Sequence, residues 1–93
     1  MQLSIQNKLQ LLCDILDEHQ TDSSVSPNEH AQLERLAASI LAQKELSDQD
    51  IQNVLTSIHL YGKEGAASSD LAKHIDNHQD QFRNWIDTVQ QNL

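Results

Sequence analysis

Five histidines stand among 93 residues, and two of them, His74 and His78, lie four apart in a stretch whose apolar spacing is helical. Residues at that spacing share a helix face, so their two imidazoles can reach one divalent cation. Asp70 extends the pattern in sequence but not in space. Residues 70 and 78 are about 12 Å apart along a helix axis, whereas zinc holds its ligands at ~2.1 Å. A full ligand set therefore needs donors from another helix, and His19, His30, His59 and Cys13 are the strong ones available. The plainer alternative is that His78 fills a seam position and bonds a neighbouring helix, with His74 at the seam's edge.

The remaining reactive types have local explanations. Cys13 is expected mid-helix one turn from Leu9, with Asp14 and Asp17 close by; that setting suits a small buried hydrophobe better than a nucleophile, which needs nearby cations or a helix N-terminus. His19 and His59 are expected near helix C-termini, where a cation offsets the free carbonyls. The stretch from Lys63 to Asp70 has the lysine, glycine and serines of an anion loop, but Glu64 cancels Lys63 and a linker has the same composition. The motifs GxGxxG, GxxxxGK, GxSxG and HExxH are absent from the sequence. No residue is assigned a catalytic, cofactor or metal role, no cofactor is expected, and the chain is read as a non-enzyme. An enzyme with a pocket between subunits stays open as an alternative.

The elements that would position these residues are helices, because apolar residues recur every three or four positions and do not alternate. Four are expected, near 4–19, 27–44, 48–61 and 69–91. In Ser26-Pro27-Asn28-Glu29 the serine can cap, the proline loses nothing at the first helical position, and the glutamate can reach back. Helix three opens at Ser47-Asp48-Gln49-Asp50 with Leu46 packing on Ile51, and Gly62 is placed to end it in a left-handed cap. GKEGAASS (62–69) reads as the most flexible stretch, after which Ser68 or Ser69 caps helix four. With a span of roughly 33 Å, helix four is the longest, against about 20 to 26 Å for the others. The fold class is thus all-α, a small antiparallel four-helix bundle forming one domain over residues 1–93.

Composition bounds the partners. Six Lys and Arg against 14 Asp and Glu leave a net charge of −8, which argues against a phosphate backbone or an anionic leaflet. Helices one and three hold six of those eight charges, so an acidic face for a basic partner stands beside plain solubility as the explanation. One cysteine excludes an internal disulfide, and neither a membrane span nor a secretory signal is visible, so the expected location is the cytoplasm. A long fourth helix would leave Phe82, Trp85, Ile86, Val89 and Leu93 uncovered, and a homodimer or a protein partner is expected there; the plainer alternative is that helix four bends or starts later and its stripe lies wholly in the core. The function read from this is an interaction or accessory regulatory module, with a metal-binding bundle using His74 and His78 as the alternative.

Three blocks, LLCDILDEHQTDSS (11–24), QLERLAASILA (32–42) and HIDNHQDQFRNWI (74–86), resemble the YtzH-like family of small soluble proteins from spore-forming Gram-positive bacteria. The resemblance implies a bacterial, cytosolic, helical protein with no assigned activity and no functional residues to carry over. It also implies that the DEHQTD corner and the HIDNHQ stretch pack together, with His19 near His74 and His78.

Overall fold

A computed structural model of the chain describes residues 4–21, 26–43 and 48–93. The described residues form five α-helices: α1 (Ile5–Thr21), α2 (Pro27–Gln43), α3 (Gln49–Ala67), α4 (Leu71–Asn77) and α5 (Gln79–Gln90). The all-helical reading holds. α1 turns Leu9, Leu12, Cys13, Leu16 and His19 inward, while α2 buries His30, Leu33, Ala37 and Ile40. Packing runs from α1 to α2, from α2 to α3, from α3 to α5 and back to α1, with α4 bridging α3 and α5. One apolar core draws on all five helices.

The expected Ser26 cap of α2 is observed, with the Glu29 amide donating to Ser26 Oγ at 3.3 Å and the Glu29 and His30 amides to the Ser26 carbonyl. At α3 the capping side chain is Asp48, which accepts from the Asp50 amide at 2.9 Å. The expected cap at Ser47 and staple at Leu46 lie outside the described residues. Asp70, and not Ser68 or Ser69, caps α4, accepting from the Lys73 amide; Ser68 instead closes α3 through its own amide to the Gly65 carbonyl.

Several expectations about the second half of the chain are corrected. Gly62 does not end the third helix, which continues to Ala67 and, at 19 residues, is the longest of the five. Both glycines lie on the inner face: a Cβ on Gly62 would stand 2.7 Å from the His30 carbonyl oxygen and 2.8 Å from the Glu34 amide nitrogen, and one on Gly65 would overlap the His30 ring. They permit close helix contact, so the stretch read as a linker is mostly helix. The anion loop is therefore no loop, and His59 sits mid-helix, far from any C-terminal carbonyls.

The fourth helix is two helices. At His78 the backbone turns to φ −108° and ψ 3°, and its amide bonds the Ile75 carbonyl in place of the His74 carbonyl four residues back. The His78 side chain has taken that position, with Nδ1 donating to the His74 carbonyl at 2.8 Å. A ring N–H thus replaces the backbone N–H at its own i−4 acceptor, and the helix breaks there.

α3 also packs on the face expected to meet a second copy. Tyr61, at the end of the expected third helix, packs its ring on Phe82 and Trp85 at centroid distances of 5.2 and 5.6 Å. Phe82, Trp85 and Val89 are buried and Ile86 packs on the core, so only Leu93 of the expected surface is substantially exposed.

Helix propensity alone makes Gly62→Ala stabilising by about 1 kcal/mol. The approach of the α2 backbone reverses the sign, because two main chains must move apart, an overpacking penalty of roughly 1–3 kcal/mol. Gly62→Ala is expected to lower the thermal midpoint by several degrees; an unchanged or raised midpoint in a calorimetric scan contradicts the close contact.

Candidate functional site

Tyr61 is 1% exposed, and a phenol hydroxyl that deep requires hydrogen-bond partners. Two imidazoles supply them: His19 Nδ1 of α1 lies 2.8 Å from the hydroxyl oxygen and His30 Nε2 of α2 lies 3.2 Å from it. The direction of each bond follows from the far side of His30. Its Nδ1 faces the Ser26 carbonyl at 3.0 Å, and since a carbonyl only accepts, Nδ1 carries the proton and Nε2 the lone pair. Tyr61 therefore donates to His30, and its oxygen accepts from His19 Nδ1–H. Both histidines are neutral Nδ1–H tautomers. His19 Nε2 is left as a buried acceptor with no hydrogen-bond partner among the described residues, a cost of about 1–3 kcal/mol.

Two more histidines, His74 and His78, lie against the Tyr61 ring. His74 stacks on that ring at 4.7 Å with 10° between planes, and His74 Nε2 donates to the Tyr61 carbonyl at 3.0 Å. The edge of His78 meets the same ring at 4.9 Å. The His74 and His78 rings are 4.7 Å apart, and each spends one N–H on a main-chain carbonyl. His19 and His74 thus share Tyr61, one at its hydroxyl and one on its face.

Burial sets the electrostatics. Desolvation, joined by the neighbouring His30 and His74, pulls His19 from an ordinary 6.5 down to about 4. Burial also lowers His30, opposed in part by the Ser26 carbonyl, and raises Tyr61. His19 is therefore a neutral member of the core, which corrects its expected role as a cation at a helix end. The Cys13 thiol is buried and pushed up by desolvation and then by Asp14, the opposite of what a reactive thiolate needs.

The third donor beside His74 and His78 comes from α3 and not from α1. One carboxylate oxygen of Glu64 and one nitrogen of each imidazole lie within 4.8 Å of one another, with Glu64 exposed and the histidines half-buried. Sequence reasoning paired Glu64 with Lys63 and passed over Tyr61. The signal for both was present: the stripe Ile51, Val54, Leu55, Ile58 continues at helical spacing through Tyr61, Gly62 and Gly65.

Elsewhere, α1 and α2 form a groove of about 370 Å³ lined by Leu11, Ile15, Gln32, Arg35 and Leu36. Leu11 is 42% exposed at its edge. Among the described residues no helix is long and apolar enough to cross a membrane.

The family model described as YtzH-like protein matches residues 3–89. A protein of Bacillus subtilis (strain 168) named "Uncharacterized protein YtzH" is 36% identical over 89 residues, covering 96% of this chain and 96% of that protein. No solved structure gives a significant match.

The His19 shift fixes a pH dependence. The unfolded chain binds a proton near pH 6.5 that the folded chain refuses until about pH 4, so this contribution is fully present above pH 6.5 and disappears as pH falls through that window. The loss is roughly 2–3 kcal/mol. His19→Phe is expected to flatten the fall in urea-unfolding free energy between pH 6.5 and 4 by that amount; equal pH slopes for variant and wild type would show that His19 charges freely in the fold.

Proposed function

The chain belongs to the YtzH-like family, and from that premise we propose that it works by binding, as an accessory module that recognises a basic amphipathic helix of a protein partner in the groove between α1 and α2. The observation that carries the reading is the face of α1. Leu11, Asp14, Ile15 and Glu18 follow one another at i, i+3, i+4 and i+7, so an apolar stripe is edged by carboxylates on a single helix face. Leu36 of α2 completes the apolar floor, and Arg35 provides one cation at the rim.

Charge selects the kind of helix. The chain carries −8, which opposes another acidic surface and draws a basic one. A non-catalytic role agrees with the chemistry inside, because the Tyr61 hydroxyl and its two imidazoles are sealed in the core, with His19 and His30 at 1% and 0% exposure. A substrate has no reach to them.

Leu11→Glu tests the proposal without touching the core. A lysine-rich synthetic helix with leucines at i, i+3 and i+7 is expected to bind the wild type with an affinity that falls as salt is raised, and to bind the variant roughly tenfold or more weakly. Circular dichroism confirms that the variant is folded. Salt-independent binding, unchanged affinity in Leu11→Glu, or self-association of the chain through Leu11 would each overturn the basic-helix reading.

A further inference from the structure

We propose that Glu64, His74 and His78 form a binding site for one divalent transition-metal ion of the zinc class. The site is separate from the α1–α2 groove and rests on none of the argument for it.

The arrangement of the protons carries the inference. A metal-binding histidine uses one ring nitrogen for the ion and donates the other N–H to a carbonyl or carboxylate, which holds the ring in the right tautomer and orientation. Both imidazoles already do this. His74 Nε2–H is held by the Tyr61 carbonyl and His78 Nδ1–H by the His74 carbonyl. The nitrogens left with free lone pairs are therefore Nδ1 of His74 and Nε2 of His78. The rings are further fixed from behind, since His74 lies flat on Tyr61 and the edge of His78 rests against the same ring. Rings held in this way lose little freedom when an ion arrives.

Glu64 supplies the third donor from a different helix. It stands one turn beyond Tyr61 on α3, the residue whose carbonyl orients His74. A carboxylate oxygen of Glu64 and a nitrogen of each ring lie within 4.8 Å of one another, and a tetrahedral ion with ~2.1 Å bonds brings its ligands to about 3.4 Å apart. The remaining distance, at most about 1.4 Å, is closed by a rotamer change of the exposed Glu64 side chain together with small shifts of the half-buried imidazoles.

Two imidazoles with one carboxylate suit zinc, cobalt, nickel or copper and not magnesium or calcium, which prefer all-oxygen shells. With three protein donors at least one position is left to water. The bound ion would link the last turns of α3, the short α4 and the α4–α5 joint at His78. Those elements meet around the Tyr61 ring, so loading should stiffen that end of the molecule and raise its thermal midpoint.

The test uses the full chain freed of metal by chelation, titrated with zinc by calorimetry and with nickel by fluorescence. Trp85 is the chain's one tryptophan, and its ring lies 6.2 Å from that of His78, so a quenching ion at the site is reported directly. One ion per chain, saturable quenching and a thermal midpoint several degrees higher are expected. Glu64→Gln, at an exposed position that leaves the fold intact by circular dichroism, is expected to weaken binding tenfold or more, as is His78→Gln. His59→Gln, on another part of α3, should bind as the wild type does. Absence of a saturable signal at ion excess, equal affinity in Glu64→Gln and wild type, or loss of binding in His59→Gln would overturn the site.

Discussion

The interior is organised by the hydroxyl of Tyr61, a polar group placed where water does not reach. It needs one donor and one acceptor, and the chain provides them as His19 from α1 and His30 from α2. Because the Ser26 carbonyl fixes the proton on His30, the bonds run in one direction from His19 through Tyr61 to His30 and on to the start of α2. That sequence of bonds ties three helices together at defined heights. It also dictates the glycines: α3 can bring Tyr61 to His30 only if Gly62 lies against the α2 backbone and Gly65 leaves room for the His30 ring. Satisfied polar networks of this kind specify a core more sharply than apolar contact alone, and the bare Nε2 of His19 is the local cost of this one.

From this arrangement the two sides of the molecule acquire different characters. Inward, the histidines are neutral and serve the fold. Outward, His74 and His78 rest on the other face of the same tyrosine ring with one nitrogen each unspent, beside the carboxylate of Glu64. The groove between α1 and α2 is remote in character from both, lined by Leu11, Ile15 and Leu36 with Gln32 and Arg35. The net charge of −8 is thus a property of the helix faces, while the aromatics that looked available for a partner are enclosed around Tyr61.

Much of this could be read from spacing. The stripes of α1 and α2 and the Ser26 cap were legible because apolar periodicity and capping are local signals. The placement of Cys13 in the core was legible for the same reason. The second half was harder, because glycine has two opposite meanings in a helical pattern. Gly62 after an apolar stripe looks like a C-cap, and only the neighbouring helix reveals it as a contact point. A bend in the fourth helix could be weighed from its length, but its position at His78 was hidden, since it arises from a side chain competing for a carbonyl and not from Pro or Gly. Of the candidate metal site, the His74–His78 pair was legible from its spacing, whereas Glu64 depended on α3 running two turns further than its composition indicated.

The central claim, a directed hydrogen-bond path through Tyr61, is most directly tested by the tautomers of its histidines. Free neutral imidazole can carry its proton on either nitrogen, and long-range nitrogen–proton NMR on uniformly ¹⁵N-labelled protein at neutral pH distinguishes the two. The account predicts that His19 and His30 are both neutral and both protonated at Nδ1. A His19 carrying its proton on Nε2, or a charged His30, would contradict it.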